Sequence, residues 1–355
     1  MNPESQKRIG TDAGVGAEGQ RRIARFGAVS PRAACCAVFG AALLAVVPLG
    51  LPSILLGSVV SGVVLTVAIL GVNLMAGFVG RVALGHGAFV GAGAYTAVIL
   101  TADHGWPLLA AVPAAGLFGF ALGALIAMPA LRIRGLHLAL VTLAFGASFG
   151  PVVKRFENLT NGANGKGSNV SWVAPTWLGE GRDADMRWVY LVVLGFAFLV
   201  IGGVFNLTRG RIGRSLVAIR DNELAARTSG IPVGRYTVMM FGVSAAVASI
   251  AGVLLVVKQP FVAYESFETS LSLQLFAAAT FGGIASVWGA PIGAATMVSA
   301  PFLVRALGIQ IDSNALFGGL LILAVVAFPT GLAGQIAKPS KRWTTGLNDA
   351  QPLDH

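Results

Sequence analysis

Ten apolar runs punctuate the chain, near residues 33–51, 54–79, 83–102, 107–131, 136–153, 188–206, 236–257, 270–288, 291–308 and 313–329. A helix crosses the hydrocarbon of a bilayer with ~20 mainly apolar residues, and lipid is the solvent that lets so many apolar surfaces face outward. The runs therefore predict an all-α polytopic membrane helical bundle of about 10 transmembrane segments (8–10). The lower bound allows for broken or re-entrant Gly-rich helices. Two Gly-rich stretches, Gly71 to Gly93 and Gly282 to Gly293, are the candidates for such breaks, with tight helix packing as the other reading. Composition agrees: of 355 residues 55% are hydrophobic and only 11% charged, with a mean hydropathy of +0.77.

The net charge of +10 would raise nucleic acid as a partner on a soluble protein. Here the basic residues sit at the ends of apolar runs, where they set topology instead, so no nucleic acid is expected. Residues 1–31, with Lys7, Arg8, Arg21, Arg22 and Arg25, read as a disordered basic cytoplasmic tail. With that tail inside, Arg81, Arg132, Arg134 and the arginines of a 207–235 loop fall on the same side. So do Lys338, Lys341 and Arg342 of a cytoplasmic tail 336–355. The membrane domain then spans 32–335, both termini are cytoplasmic, and residues 154–187 form an external loop or small cap. Cys35 and Cys36 are helix neighbours, which cannot easily pair with each other, so no disulfide framework is expected.

The longest polar stretch of helix-forming composition runs from Thr208 to Tyr236. Residues 213–228 contain no Pro and no internal Gly, and Gly230 with Pro232 then stops the helix, so a single helix is expected there. Arg220, Glu223 and Arg227 would share one face, with Glu223 and Arg227 a favourable i, i+4 pair. Leu216, Val217, Ile219 and Leu224 form no clean stripe, which makes a lipid-surface helix unattractive. The residues alone leave a protein-docking helix and a solvated loop both open.

The pattern Gly213, Arg214, Leu216, Ala218, Ile219, Arg220, Asn222, Glu223, Ala225, Ala226, Gly230, Ile231 resembles the cytoplasmic coupling loop of permeases of the branched-chain amino acid ABC transporter family. Leu224 stands between Glu223 and the paired alanines, where the wider importer pattern has none. Three further blocks are similar to the same family: Leu70 to Leu100 with LGHGAF, Leu131 to Phe145 (LRIRGLHLALVTLAF), and Phe281 to Ala294 (FGGIASVWGAPIGA). The block LRIRGLHLALVTLAF is similar to LivM-type subunits in particular, rather than to their LivH-type partners.

The resemblance implies a coupling surface for an ATPase at Gly213, Arg214, Ala218, Arg220, Asn222, Glu223, Ala225, Ala226 and Gly230. It also implies a translocation path or gate at Asn73, Gly85, His86, Gly87, Tyr95 and Thr142. Read as side chains, Asn73 and His86 are polar groups in or beside hydrocarbon, which face a bundle or a water path. A packing hydrogen bond is favoured over substrate contact for His86, and Thr142 can bond its own backbone. The implied activity is import of branched-chain amino acids, with urea, amides or other small polar solutes as the alternative cargo within the family. A gradient-driven transporter or channel is the competing class, disfavoured because the apolar runs are nearly free of acids. The implied partners are cytoplasmic ATP-binding subunits, a second homologous permease, an extracytoplasmic substrate-binding protein and the lipid bilayer. The implied place is the inner membrane of a prokaryotic cell. The sequence has no G-x-x-x-x-G-K-[S/T], so ATP is expected on partner subunits, with no cofactor or metal on this chain and no enzyme activity of its own.

Overall fold

The structure, a computed structural model, describes residues 50–130, 136–168, 173–284, 286–306, 315–319 and 322. The tail 1–31, the run 33–51 up to residue 49, Arg132, Arg134, most of the run 313–329 and the tail 336–355 lie outside the described residues.

Long apolar stretches fold as helices because a helix satisfies its backbone donors and acceptors internally. Helix α1 (Ser53–Asn73) continues into a π-helical turn, Leu74–Val79, and is followed by α2 (His86–Ala102), α3 (Leu108–Ala130) and α4 (Leu136–Arg155). A short α5 (Glu157–Thr160) leads to α6 (Arg182–Arg209), α7 (Arg211–Asp221), α8 (Glu223–Thr228) and α9 (Val233–Lys258). Then come α10 (Thr269–Gly282) and α11 (Gly289–Ala306). Among the described residues, five stretches are long and apolar enough to cross a membrane: Ser53–Val79, Leu108–Pro129, His137–Arg155, Arg182–Arg209 and Val233–Lys258. His86–Ala102 and Gly289–Val304 are shorter apolar helices. The chain is an all-α polytopic bundle, as expected.

Both Gly-rich stretches contain real breaks. The run expected over 83–102 becomes helical only at His86, because Gly80 adopts a left-handed conformation (φ +74°) and residues 80–85 leave the helix. The run expected over 270–288 stops at Gly282, where Gly283 (φ +117°) turns the chain away. Pro291 lies in the first turn of α11, where its missing amide proton costs nothing. The predicted external loop 154–187 is shorter than expected, since α4 continues to Arg155 and α6 starts at Arg182. Asp183 and Asp185 in the first turn of α6 suit the positive end of its dipole.

Helix α9 is the centre of the bundle and packs on α1, α2 and α3. These contacts are backbone-close. A Cβ on Gly93 would collide with the Ser249 carbonyl, and one on Gly252 with the Val90 carbonyl. A Cβ on Gly71 would sit 2.9 Å from the Ser244 carbonyl. Small residues at helix crossings are how membrane helices gain van der Waals contact where lipid supplies no hydrophobic drive.

At one end of the bundle the strands β1 (Lys166–Gly167) and β2 (Phe261–Val262) pair antiparallel, stitching the segment after α5 to the segment after α9. Lys166 reaches Asp103 at 2.5 Å and the Lys154 ammonium lies 4.3 Å from the Tyr264 ring centre. Helices α7 and α8 lie at the other end, beside the break that follows α1.

Candidate functional site

The break over residues 80–85 is held by the turn that precedes it and by α4. The Arg81 amide donates back to the Met75 carbonyl at 3.0 Å, closing the π-helical turn. The Leu84 amide donates to the Thr142 hydroxyl of α4 at 2.9 Å. That hydroxyl lies 3.0 Å from both the Leu138 and Ala139 carbonyls, so it can pass its own proton to the preceding turn. Gly85 rests on α4 closely enough that a Cβ would lie 2.7 Å from the Thr142 carbonyl.

His86 opens α2 and is almost fully buried, at 1% exposure. Its Nε2 lies 2.7 Å from the Ser244 hydroxyl of α9, and Ser244 donates to the Gly71 carbonyl of α1 at 2.8 Å. The Ser244 hydroxyl thus bridges the imidazole and the Gly71 carbonyl. His86 Nδ1 lies 3.2 Å from the Ala83 carbonyl in the break. The neighbouring Gly87 amide donates to the Ser272 hydroxyl of α10 at 2.9 Å. Two residues beyond Gly71, Asn73 donates from Nδ2 to the Ser286 carbonyl at 3.2 Å, which ties the end of α1 to the second break. The Asn73 Oδ1 is buried without a hydrogen-bond partner.

Tyr95 lies elsewhere. It is nine positions further along α2, ~13 Å by helical rise. Its ring packs edge-on against Phe149 and Phe267, at 6.1 and 6.5 Å between centroids, and its hydroxyl is buried without a hydrogen-bond partner.

At the exposed end, α7 and α8 form a bent pair rather than the single helix expected over 213–228. Asn222 is extended (φ −157°, ψ 101°), and its side chain accepts the Ala225 amide at 3.0 Å as the N-cap of α8. Asparagine competes for backbone donors in this way, so it divides a stretch that has neither Gly nor Pro. Glu223 pairs with Arg227 at 2.7 Å, as the i, i+4 spacing predicted, and also with Arg81 at 3.3 Å. Arg220 donates from Nη1 to the Gly77 carbonyl at 3.0 Å and packs over Gly80.

Residues 53–326 match the family described as the branched-chain amino acid transport system permease component. The chain belongs to that family. Among curated relatives, the high-affinity branched-chain amino acid transport system permease protein LivM of Escherichia coli (strain K12) is 32% identical over 282 residues. That alignment covers 74% of this chain and 66% of the relative, so the chain spans just under two thirds of that relative's length. The LivH permease of the same strain is 26% identical over 287 residues, covering 75% of this chain and 90% of LivH. The autoinducer 2 import system permease LsrC of Enterobacter sp. (strain 638) is 28% identical over 250 residues, covering 65% of this chain and 66% of LsrC. No solved structure matches the chain.

In this permease, Asn73, Gly85, His86, Gly87 and Thr142 gather around the two breaks, whereas Tyr95 belongs to an aromatic group further along α2. The residues expected to form a coupling surface divide. Gly213 is buried against the end of α6, where a Cβ would collide with the Thr208 carbonyl, and Ala226 is buried in a small cluster with Ile219 and Val233. Leu216 and Ile219 turn inward with Gly213, giving α7 the apolar stripe that the linear pattern did not reveal. Arg220 and Glu223 reach the break after α1. Arg214, Asn222, Ala225 and Gly230 remain exposed, Ala218 is half-buried, and Leu224 is 74% exposed. Sequence reasoning missed Ser244, Ser272 and Arg81. Buried hydroxyls in acid-free apolar helices were the signal for the serines; nothing in the local sequence pairs Arg81 with Glu223.

Proposed function

We propose that this permease is the membrane-spanning subunit of an ATP-driven importer of branched-chain amino acids. A separate binding protein delivers the solute on the side of the β1–β2 stitch. Two ATPases dock on the opposite, cytoplasmic side, and a second homologous permease completes the pathway in the inner membrane. The observation that carries this reading is the placement of α7 and α8. Their exposed ridge, with Arg214, Leu224 and Ala225, offers itself to a partner, while their inner residues grip the break between α1 and α2. A helix that meets both solvent and a broken membrane helix is placed to convert a partner's motion into a change of access.

Acid placement supports an external energy source. Among the described residues, α1, α2, α3, α4, α9, α10 and α11 contain no Asp or Glu, and α6 carries its two in the first turn. Proton- or ion-coupled carriers place such groups in the membrane. The cargo is set partly by a protein that lies outside this chain, and urea and short-chain amides are the competing solutes. The test is uptake of labelled leucine by vesicles holding the complete complex, with unlabelled isoleucine, valine, urea and acetamide as competitors. Cysteines at Arg214 and Leu224 should crosslink to the ATPase. Leucine movement by the purified chain alone, without ATP, would overturn the importer reading.

A further inference from the structure

We infer that Arg81 and Glu223, with Arg220 on the Gly77 carbonyl as a second strut, form the link through which movement of the docking helices reaches the α1–α2 break. This inference rests on the importer reading above. The two struts converge on the same few residues from different helices. Arg220 comes from the last turn of α7 and holds a carbonyl within the π-helical turn. Glu223 comes from the first turn of α8 and holds the guanidinium that follows Gly80. The extended residue Asn222 lies between them, so any change in the angle between α7 and α8 moves the two struts relative to each other.

The charges are arranged for this. Glu223 is shared by Arg81 and Arg227, one carboxylate oxygen to each, at 3.3 and 2.7 Å. Arg227 is half exposed, at 51%, whereas Arg81 is 13% exposed. The carboxylate thus has a partner in the bundle, Arg81, and a partner on the surface a partner protein would meet, Arg227. A docked ATPase that engages Arg227 changes the hold on Arg81 without touching it. Beyond Arg81 the path is short: Ala83 lies against His86, Leu84 on Thr142, and both lead into α2, α4 and α9. Ion pairs that are only partly buried contribute little to stability, which is what a link that must make and break in every cycle requires.

Arg81 and Glu223 are positioning residues, so the test must separate coupling from folding. The complete complex is reconstituted with R81E, with E223R, and with both. Assembly is followed by size-exclusion chromatography, ATP hydrolysis by phosphate release, and leucine uptake in the same vesicles. Each single variant should assemble and hydrolyse ATP while carrying about tenfold less leucine per ATP hydrolysed. The double variant should recover most of that ratio. R81K, which keeps the charge, reports on folding and should retain both activities. A normal transport ratio in R81E, or a double variant no better than the singles while R81K works, overturns the inference. If the wild-type complex takes up leucine without needing ATP, the importer reading itself has failed, a result distinct from both.

Discussion

The Leu84 amide and the Thr142 hydroxyl meet at 2.9 Å, so a side chain of α4 completes the hydrogen bonding of a backbone that has left α1 and has not yet entered α2. In hydrocarbon an irregular segment persists only where protein groups satisfy it. Thr142→Val keeps the shape and removes the acceptor. It should destabilise the permease by about 1–3 kcal/mol, the cost of a buried unpaired donor. Thr142→Ser should behave as the parent. Thermal unfolding of the detergent-solubilised protein checks both, and an unshifted Thr142→Val curve would count against the role of this bond.

The hydroxyl of Ser244 bridges His86 to Gly71. Ser244→Ala leaves the imidazole Nε2 without this partner in a buried site and should cost about 1–3 kcal/mol. The same substitution at Ser148, which is exposed and donates to the Phe145 carbonyl of its own helix, should change little. Melting temperatures of the two variants side by side give the comparison.

Gly93→Ala and Gly252→Ala each place a methyl group where a backbone carbonyl of the facing helix already stands. Overpacking of this kind costs about 1–3 kcal/mol. Gly202→Ala, on α6 with nothing within 4 Å of its added Cβ, should be neutral or slightly stabilising. The yield of folded monomer after membrane extraction separates the three variants, and equal yields would refute the close crossing of α2 and α9.

Asn222→Ala removes the cap of α8 and should cost that short helix about 1 kcal/mol, while Asn222→Asp or Asn222→Ser should retain it. Arg227 lies in the last turn of α8, so limited trypsin digestion at Arg227 should accelerate in Asn222→Ala alone. Unchanged cleavage would mean that the bend does not depend on the cap.

The class of fold was legible because apolar length is a direct reading of bilayer thickness, and α3, α4 and α9 end within a few residues of the runs that predicted them. The breaks were legible as glycine richness and not as positions: only the structure places the turns at Gly80 and Gly283. Residues 213–228 misled for a specific reason. Helix stop signals are sought in Gly and Pro, and here an asparagine that caps the following turn did the stopping. The inward face of α7 was hidden because Gly213 contributes to it by having no side chain, which no apolar count registers. Of the candidate path residues, Asn73, His86 and Thr142, whose side chains hydrogen-bond across helices or to the break, converged with the adjoining Gly85 and Gly87. Tyr95 separated from them because sequence proximity to His86 along α2 carries it more than two turns away.

The contacts at Gly71, Gly93 and Gly252 also limit which parts of the molecule can move. Helices whose main chains touch cannot slide past one another without lifting apart, so α1, α2 and α9 are geared together at their crossings. Any relative displacement of the helices therefore falls to the seams where longer side chains intervene, such as the Phe89, Phe145 and Phe149 rings between α2 and α4. Aromatic rings can tilt and slip where main chains cannot, so beyond the Gly85–Thr142 contact the α4 side of α2 is softer than its α9 side.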